Sequence, residues 1–310
     1  MIQKYKEVND SFSYWKLIFH LGCDSGFYSE FNNMVLAMIY CLKSQIRFSM
    51  YSADANFGYK DGWQDYFLPF CEEVNDKFHH KYNARTENPW FSVHGLARWE
   101  YLLWRLKHKH TYLTFDLFCK FRQVSCARIE YSIPQLELKG DLRTVAHEII
   151  KMIYRFNPET LSEIRKLIQP LDLPDKYIGF HIRGGDKFTE HELLQCSAYI
   201  DKAEKLSSLR KAFVLTDDYR IIETLKQNYP QWRFYSLTES SERGYFHAKF
   251  QSQDKESKKK DLIKLFASME ILRMSELFVG TFSSNVGMFL GMCMEKERAY
   301  GVDFDEWLLW

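Results

Sequence analysis

Two hydrophobic rhythms alternate along this chain. Trp15-Lys-Leu-Ile-Phe-His-Leu21 is a short apolar run that predicts a strand, and it runs into Gly22-Cys-Asp-Ser-Gly-Phe-Tyr-Ser29, a loop with two glycines and two serines. From Glu30 to Ser44 the apolar positions Phe31, Val35, Met38, Ile39 and Leu42 return at helical spacing. Gln45-Ile-Arg-Phe-Ser-Met-Tyr51 then alternates polar and apolar residues, as a strand does. Such a strand, helix, strand opening predicts a parallel sheet with the loop at its carboxyl edge.

Residues 52–140 carry no clean period. Their aromatic clusters, Trp63 with Tyr66 and Phe67, and Trp99 with Tyr101 and Trp104, predict packed helices. Helical patterns follow over Arg143–Arg155 and Pro158–Ile168. Gln169-Pro-Leu-Asp-Leu-Pro-Asp175, with two prolines, predicts a domain boundary. Beyond it strands are expected over Tyr177–Ile182, Lys211–Thr216, Trp232–Tyr235, Leu277–Val279 and Ala299–Val302. Helices are expected over Glu192–Leu206, from Tyr219 through Leu225, over Asp261–Met274 and over Ser284–Met294. The expected fold class is α/β, GT-B-like, with two Rossmann-like domains facing across a cleft. Residues 1–172 would form an acceptor-side α/β domain with a helical insertion, and 173–310 a nucleotide-sugar-binding domain.

Composition changes this picture little. The chain has 310 residues, 46% hydrophobic and 27% charged, which suits two globular domains or one large α/β domain. Aromatic residues reach 17%, which fits either a bulky core or rings that stack on sugars. A net charge of +1 supplies no global field to recruit nucleic acid or membrane. The run Lys255-Glu-Ser-Lys-Lys-Lys-Asp261 reads as a solvated loop leading into a helix, the sharper alternative being a lid that carries lysines to a pyrophosphate. Seven scattered cysteines without a CxxC pair fit reduced thiols. The polar amino terminus lacks a signal-peptide core, and no apolar run is long enough to span a membrane. The expectation is a cytoplasmic or soluble protein with no membrane anchor in this chain.

Candidate chemistry concentrates in two segments. Tyr177-Ile-Gly-Phe-His-Ile-Arg-Gly-Gly-Asp-Lys-Phe-Thr-Glu190 reads as a buried strand that exits into charged residues. There Arg183 offers a planar fork for phosphate oxygens, and the glycines allow close backbone approach. Glu276-Leu-Phe-Val-Gly-Thr-Phe-Ser-Ser-Asn-Val-Gly287 repeats the order of apolar strand, small polar turn and helix start. Ser283 and Ser284 lie where a helix amino terminus would favour an anion, or where an ordinary cap is needed. Lys187 supplies a second cation. Glu190 and Asp186 are the carboxylates placed to take a proton, although each could instead pair locally or sit in a first helical turn. Asp217-Asp218 either caps the next helix or meets an acceptor, and one of Asn32 and Asn33 is expected to face the cleft. Asp303-Phe-Asp305 has the form of a metal-binding DxD but lacks its context, so no metal is expected. Neither His79-His80 nor His108-Lys-His110 shows zinc spacing. Without GxSxG, Walker A or GxGxxG motifs, hydrolase, P-loop kinase and dehydrogenase readings weaken.

These segments resemble the α-1,6-fucosyltransferases, including bacterial chitin-oligosaccharide members, and more distantly the protein O-fucosyltransferases. Gly22-Cys-Asp-Ser-Gly26, His181-Ile-Arg-Gly-Gly-Asp-Lys187, Thr216-Asp217-Asp218 and Thr281-Phe-Ser-Ser-Asn285 keep the family's order and rough spacing. The resemblance implies GDP-fucose as donor, no metal or other cofactor, an inverting transfer and a glycan or glycolipid acceptor. It implies that Arg183 binds the β-phosphate, that the His181 backbone lies near guanine, and that Ser284 hydrogen-bonds the pyrophosphate. Lys187 would assist the leaving group and Glu190 would act as general base. Gly22, Gly26, Thr281, Ser283 and Asn285 complete the implied donor site. This chain departs from the family in having Gly184 where a second arginine usually stands, and Ser268 aligns with an aspartate that reads guanine. Two alternatives therefore stand beside the fucosyltransferase reading: a transferase using another nucleotide sugar, and a catalytically silent glycan-binding relative.

Overall fold

A computed structural model of the chain describes residues 1–23, 25–184, 195–244, 250 and 252–309. It divides into two compact units, Met1–Asn157 with Leu309–Trp310, and Pro158–Leu308.

The first unit begins with helix α1 (Ile2–Ser11), which the polar amino-terminal sequence does not announce. Its buried Asn9 pairs with the Phe48 backbone in both directions, donating to the carbonyl at 2.9 Å and accepting from the amide at 2.8 Å. Then come β1 (Trp15–His20), α2 (Phe27–Ser44), β2 (Ile46–Tyr51), β3 (Glu72–Glu73), α3 (Phe78–Tyr82), α4 (Pro89–Ser92), α5 (Leu96–Lys107) and β4 (Thr111–Leu113). Helices α6 (Thr114–Phe121) and α7 (Val124–Ala127), an antiparallel pair β5 (Tyr131–Ile133) and β6 (Leu138–Gly140), and α8 (Leu142–Ile153) complete it. The sheet is parallel throughout, in the order β3-β2-β1-β4.

The expected helix around Trp63, Tyr66 and Phe67 is absent. Gly62–Asp65 forms only a 3-10 turn, and the aromatics are placed by stacking, Trp63 on Phe67 at 4.3 Å and Phe67 on Phe27 at 5.5 Å. Burial of flat rings holds this stretch, so it carries no helical period.

The second unit contains α9 (Pro158–Ile168), β7 (Ile178–His181), α10 (Cys196–Leu206), β8 (Lys211–Leu215), α11 (Tyr219–Asn228), β9 (Arg233–Tyr235), α12 (Lys255–Met274), β10 (Leu277–Gly280), α13 (Asn285–Cys293) and β11 (Ala299–Gly301). Its five strands are parallel in the order β11-β10-β7-β8-β9. The division between units falls before α9, upstream of the two-proline stretch, because α9 packs on α12. The lysine run is not a loop: it forms the first turns of α12, where Asp254 caps the Ser257 amide at 2.9 Å and Lys259 pairs with Glu159 at 2.8 Å. A capped amino terminus and one long-range ion pair suffice to extend the helix beyond its apolar stripe.

Gly287, in the first turn of α13, has no room for a side chain: a Cβ there would lie 1.8 Å from the Thr281 carbonyl oxygen. Gly287→Ala is expected to cost at least about 3 kcal/mol, as overpacking against backbone does. Urea unfolding checks it; a loss below about 1 kcal/mol would mean the turn opens freely.

Candidate active site

In a doubly wound parallel sheet, ligands settle where two neighbouring strands send their chains to opposite sides. In the second unit that point lies between β7 and β10, since β8 and β9 continue to one side and β11 to the other. The two segments that carry the sequence motifs are the exits of those two strands. They touch: the His181 ring Nδ1 lies 3.5 Å from the Ser284 hydroxyl.

The β7 exit is shaped by Asp217. Its carboxylate accepts from the Gly184 amide at 2.7 Å and lies 3.8 Å from the Arg183 guanidinium. Gly184 is needed there, because a Cβ would stand 2.8 Å from the Asp218 Cβ. The missing second arginine therefore has a steric reason. Burial first, and the Arg183 charge second, push His181 down to about 3, so its ring is neutral. Asp218 caps α11 by accepting from the Arg220 amide at 2.9 Å, and its bond to the Arg220 guanidinium lowers its pKa.

The β10 exit is held from below by Asp303, whose carboxylate accepts from the amides of Phe282 at 2.8 Å and Ser283 at 2.9 Å. Those two N–H groups are thus engaged within the protein. Ser284 is buried and is the cap of α13, accepting from the Gly287 amide at 3.0 Å and donating to the Thr281 carbonyl at 2.9 Å. Asn285 opens the helix. Asp305 pairs with Lys202 at 3.4 Å, away from Asp303's amide contacts. Among the described residues no group of three or more His, Cys, Asp or Glu side chains gathers to hold a metal. Asp186, Lys187 and Glu190 lie outside the described residues.

The first unit has its own point of strand reversal, between β1 and β4. The β1 exit is the glycine loop, and its anchor is Glu30. This fully buried carboxylate accepts from the Gly22 amide at 3.1 Å, the Ser25 amide at 3.1 Å and the Arg85 guanidinium at 2.8 Å. Gly22 adopts φ +84° in close contact with Ala55, whereas nothing crowds Gly26, which caps α2. Asn32 and Asn33 are buried in α2, and the Asn33 amide donates to the Ser29 carbonyl at 2.8 Å. Beside the loop, His20 Nδ1 donates to the Asn83 carbonyl at 2.9 Å and Nε2 meets Asp54 at 2.8 Å. The second Asp54 oxygen meets His80 Nδ1 at 2.5 Å. Burial is the largest single influence and opposes charge on His20, but the hydrogen bonds and charges of Asp54 and Cys23 together outweigh it and raise the imidazole to about 10. Asp54 is correspondingly lowered.

Sequence reasoning missed Glu30, Arg85, His20, Asp54 and the role of Asp303. An acid in the first turn of so apolar a helix was a usable signal for Glu30. Arg85 and Asp54 lie in irregular chain that offered none.

The family model for alpha-(1,6)-fucosyltransferase N- and catalytic domains matches residues 141–295, half of the chain, and spans both motif segments of the second unit. The chain belongs to this family. It is a glycosyltransferase. No curated protein matches in sequence. Among solved structures, the NodZ alpha-1,6-fucosyltransferase co-crystallised with GDP is 12% identical, covers 91% of this chain and 93% of that one, and superposes with TM-score 0.55. The same enzyme soaked with GDP-fucose gives 12%, 91%, 93% and 0.54. NodZ from Bradyrhizobium gives 12%, 88%, 91% and 0.54. At this identity the likeness establishes the fold, α/β and GT-B-like, as expected from the sequence.

Glu30→Ala would leave the Arg85 charge, 10% exposed, beside an empty site, and is expected to cost about 3–5 kcal/mol in unfolding free energy. A cost near zero would show that the glycine loop holds itself. His20 gives a pH signature. Its imidazole has a folded pKa of about 10 against 6.5 unfolded, so its stabilisation is complete below about pH 6.5 and fades as pH rises towards 10. Denaturation of wild type and His20→Gln across that window should show the difference shrinking; a constant difference would contradict the charged imidazole.

Proposed function

We propose that this protein transfers fucose from GDP-fucose to a glycan hydroxyl by inverting, metal-independent displacement. The observation that carries the reading is the meeting of the Arg183 strand exit and the α13 amino terminus at the strand-order reversal of the second unit. The family match and the GDP and GDP-fucose complexes of NodZ support the choice of donor.

Departure of the sugar builds positive charge at the anomeric carbon and negative charge on the diphosphate. In this reading Arg183 takes the diphosphate, aimed by Asp217, and the dipole of the nine-residue helix α13 adds to it. Lys187 is the second cation. Neutral His181 contributes its backbone near the base and adds no charge. Ser284 acts by setting the turn, its hydroxyl being occupied as the cap, and Ser283, Thr281 and Asn285 line the same exit. Glu190, or Asp186, takes the proton of the acceptor hydroxyl. Gly22 and Gly26 form the first unit's loop. The acceptor is a glycan or glycolipid.

One observation favours a second reading, a different nucleotide sugar. Ser268, which aligns with the guanine-reading aspartate, is buried and donates to the Lys264 carbonyl of its own helix at 3.0 Å. Glu270 is paired with Arg273 at 2.7 Å.

Calorimetric titration of GDP and UDP into wild type and Arg183→Ala decides between these. GDP should bind wild type and weaken on the order of 10²-fold in the variant, the loss of one charge-assisted contact. Preference for UDP would move the donor to the second reading. Equal GDP affinity in both proteins would remove Arg183 from the site.

A further inference from the structure

Eleven large hydrophobic side chains are exposed among the described residues, and five of them, Phe91, Leu96, Trp99, Leu103 and Leu106, fall within residues 91–106. Scattered exposed apolar residues are ordinary, but such a concentration is not. Four of the five are on α5 at spacings of three, four and three, which at 100° per residue puts them within about 80° of one another. The opposite face of α5 is already satisfied. Tyr101 is buried against Phe78 and Tyr82, and Trp104 stacks on Phe78 at 4.1 Å. Helix α5 is therefore apolar on two sides, one packed and one turned outward, with Leu96 89% and Leu106 73% exposed.

Of the cations in residues 89–110, Arg105 pairs with Asp116 at 2.7 Å and Arg98 lies over the Trp90 ring, whereas Lys107 and Lys109 are exposed; the segment's one acid is Glu100. Glu100 is engaged with Lys81 at 3.1 Å and with the Tyr82 hydroxyl, so it does not offset the neighbouring lysines at the surface. Lys107 sits beside the seam on the helical wheel, and Lys109 follows just beyond the helix end. A narrow band of Leu, Phe and Trp with exposed lysines at one end is the chemistry that lies in the interfacial plane of a bilayer carrying anionic headgroups.

We propose that the outward face of α5, with Phe91, docks this protein on an anionic membrane surface. The helix lies along the interface, its leucines and Trp99 entering the headgroup boundary while Lys107 and Lys109 meet lipid phosphates. None of its twelve residues spans the bilayer, and no described helix is long and apolar enough to do so. The inference does not depend on the identity of the sugar donor.

Co-sedimentation of the whole chain with phosphatidylcholine vesicles containing about one-third phosphatidylglycerol tests it. Wild type should pellet with these vesicles and far less with pure phosphatidylcholine. Leu103→Glu and Trp99→Glu should each reduce the bound fraction at least about tenfold, and Lys107→Glu with Lys109→Glu should remove the preference for anionic lipid. All these side chains point outward, so circular dichroism and melting temperature should be unchanged; a variant that fails this check is replaced by Leu106→Gln, judged by the same vesicle readout. Wild type that stays in the supernatant, or variants that bind as wild type does, overturn the proposal. So does a dimer of wild type that Leu103→Glu converts to monomer without any vesicle binding, which would make the seam an interface between copies.

Discussion

A carboxylate accepting backbone N–H groups at the end of a parallel strand is the interaction on which both halves of this enzyme rest. Where a strand leaves a parallel sheet its amides lose their ladder partners, and an unpartnered buried N–H costs about as much as a lost hydrogen bond. Glu30 fills that need for Gly22 and Ser25, Asp217 for Gly184, and Asp303 for Phe282 and Ser283. Each acid comes from another part of the chain and closes the loop at a strand end.

This arrangement assigns charge as well as shape. Asp217 accepts from the Gly184 amide and lies 3.8 Å from the Arg183 guanidinium, so one carboxylate both sets the turn and faces the cation. Asp303 places negative charge beneath the turn before α13 and occupies amides that an anion would otherwise use. In the first unit the His20–Asp54 pair is balanced internally, so its burial adds order without net charge.

Local and global electrostatics diverge in this chain. The overall charge of +1 argues against any membrane attraction, yet the exposed Lys107 and Lys109 lie next to five exposed apolar side chains. Screening limits such fields to about 8–10 Å at physiological salt, so a surface responds to the segment before it and not to the sum over the molecule.

Much of the fold was legible in the sequence because local periodicity marks it. Strands β1, β7, β8 and β10 and helices α2, α8 and α11 follow from apolar spacing, since a buried strand or an amphipathic helix writes its environment into its own residues. The same holds for Arg183 and the Ser283-Ser284 turn, which stand at strand exits recognisable as such. What only the tertiary structure decided are the partnerships over long separations. Glu30 with Arg85, His20 with Asp54, and Asp303 beneath Ser283 each join residues from different elements, and no period in the chain relates them. Trp63 and Phe67 likewise take their places from the rings they meet, and the lysine run became helix through Asp254 and Glu159. A one-dimensional pattern reports which face of an element is buried; which side chain waits on the other side is settled only when the chain has closed.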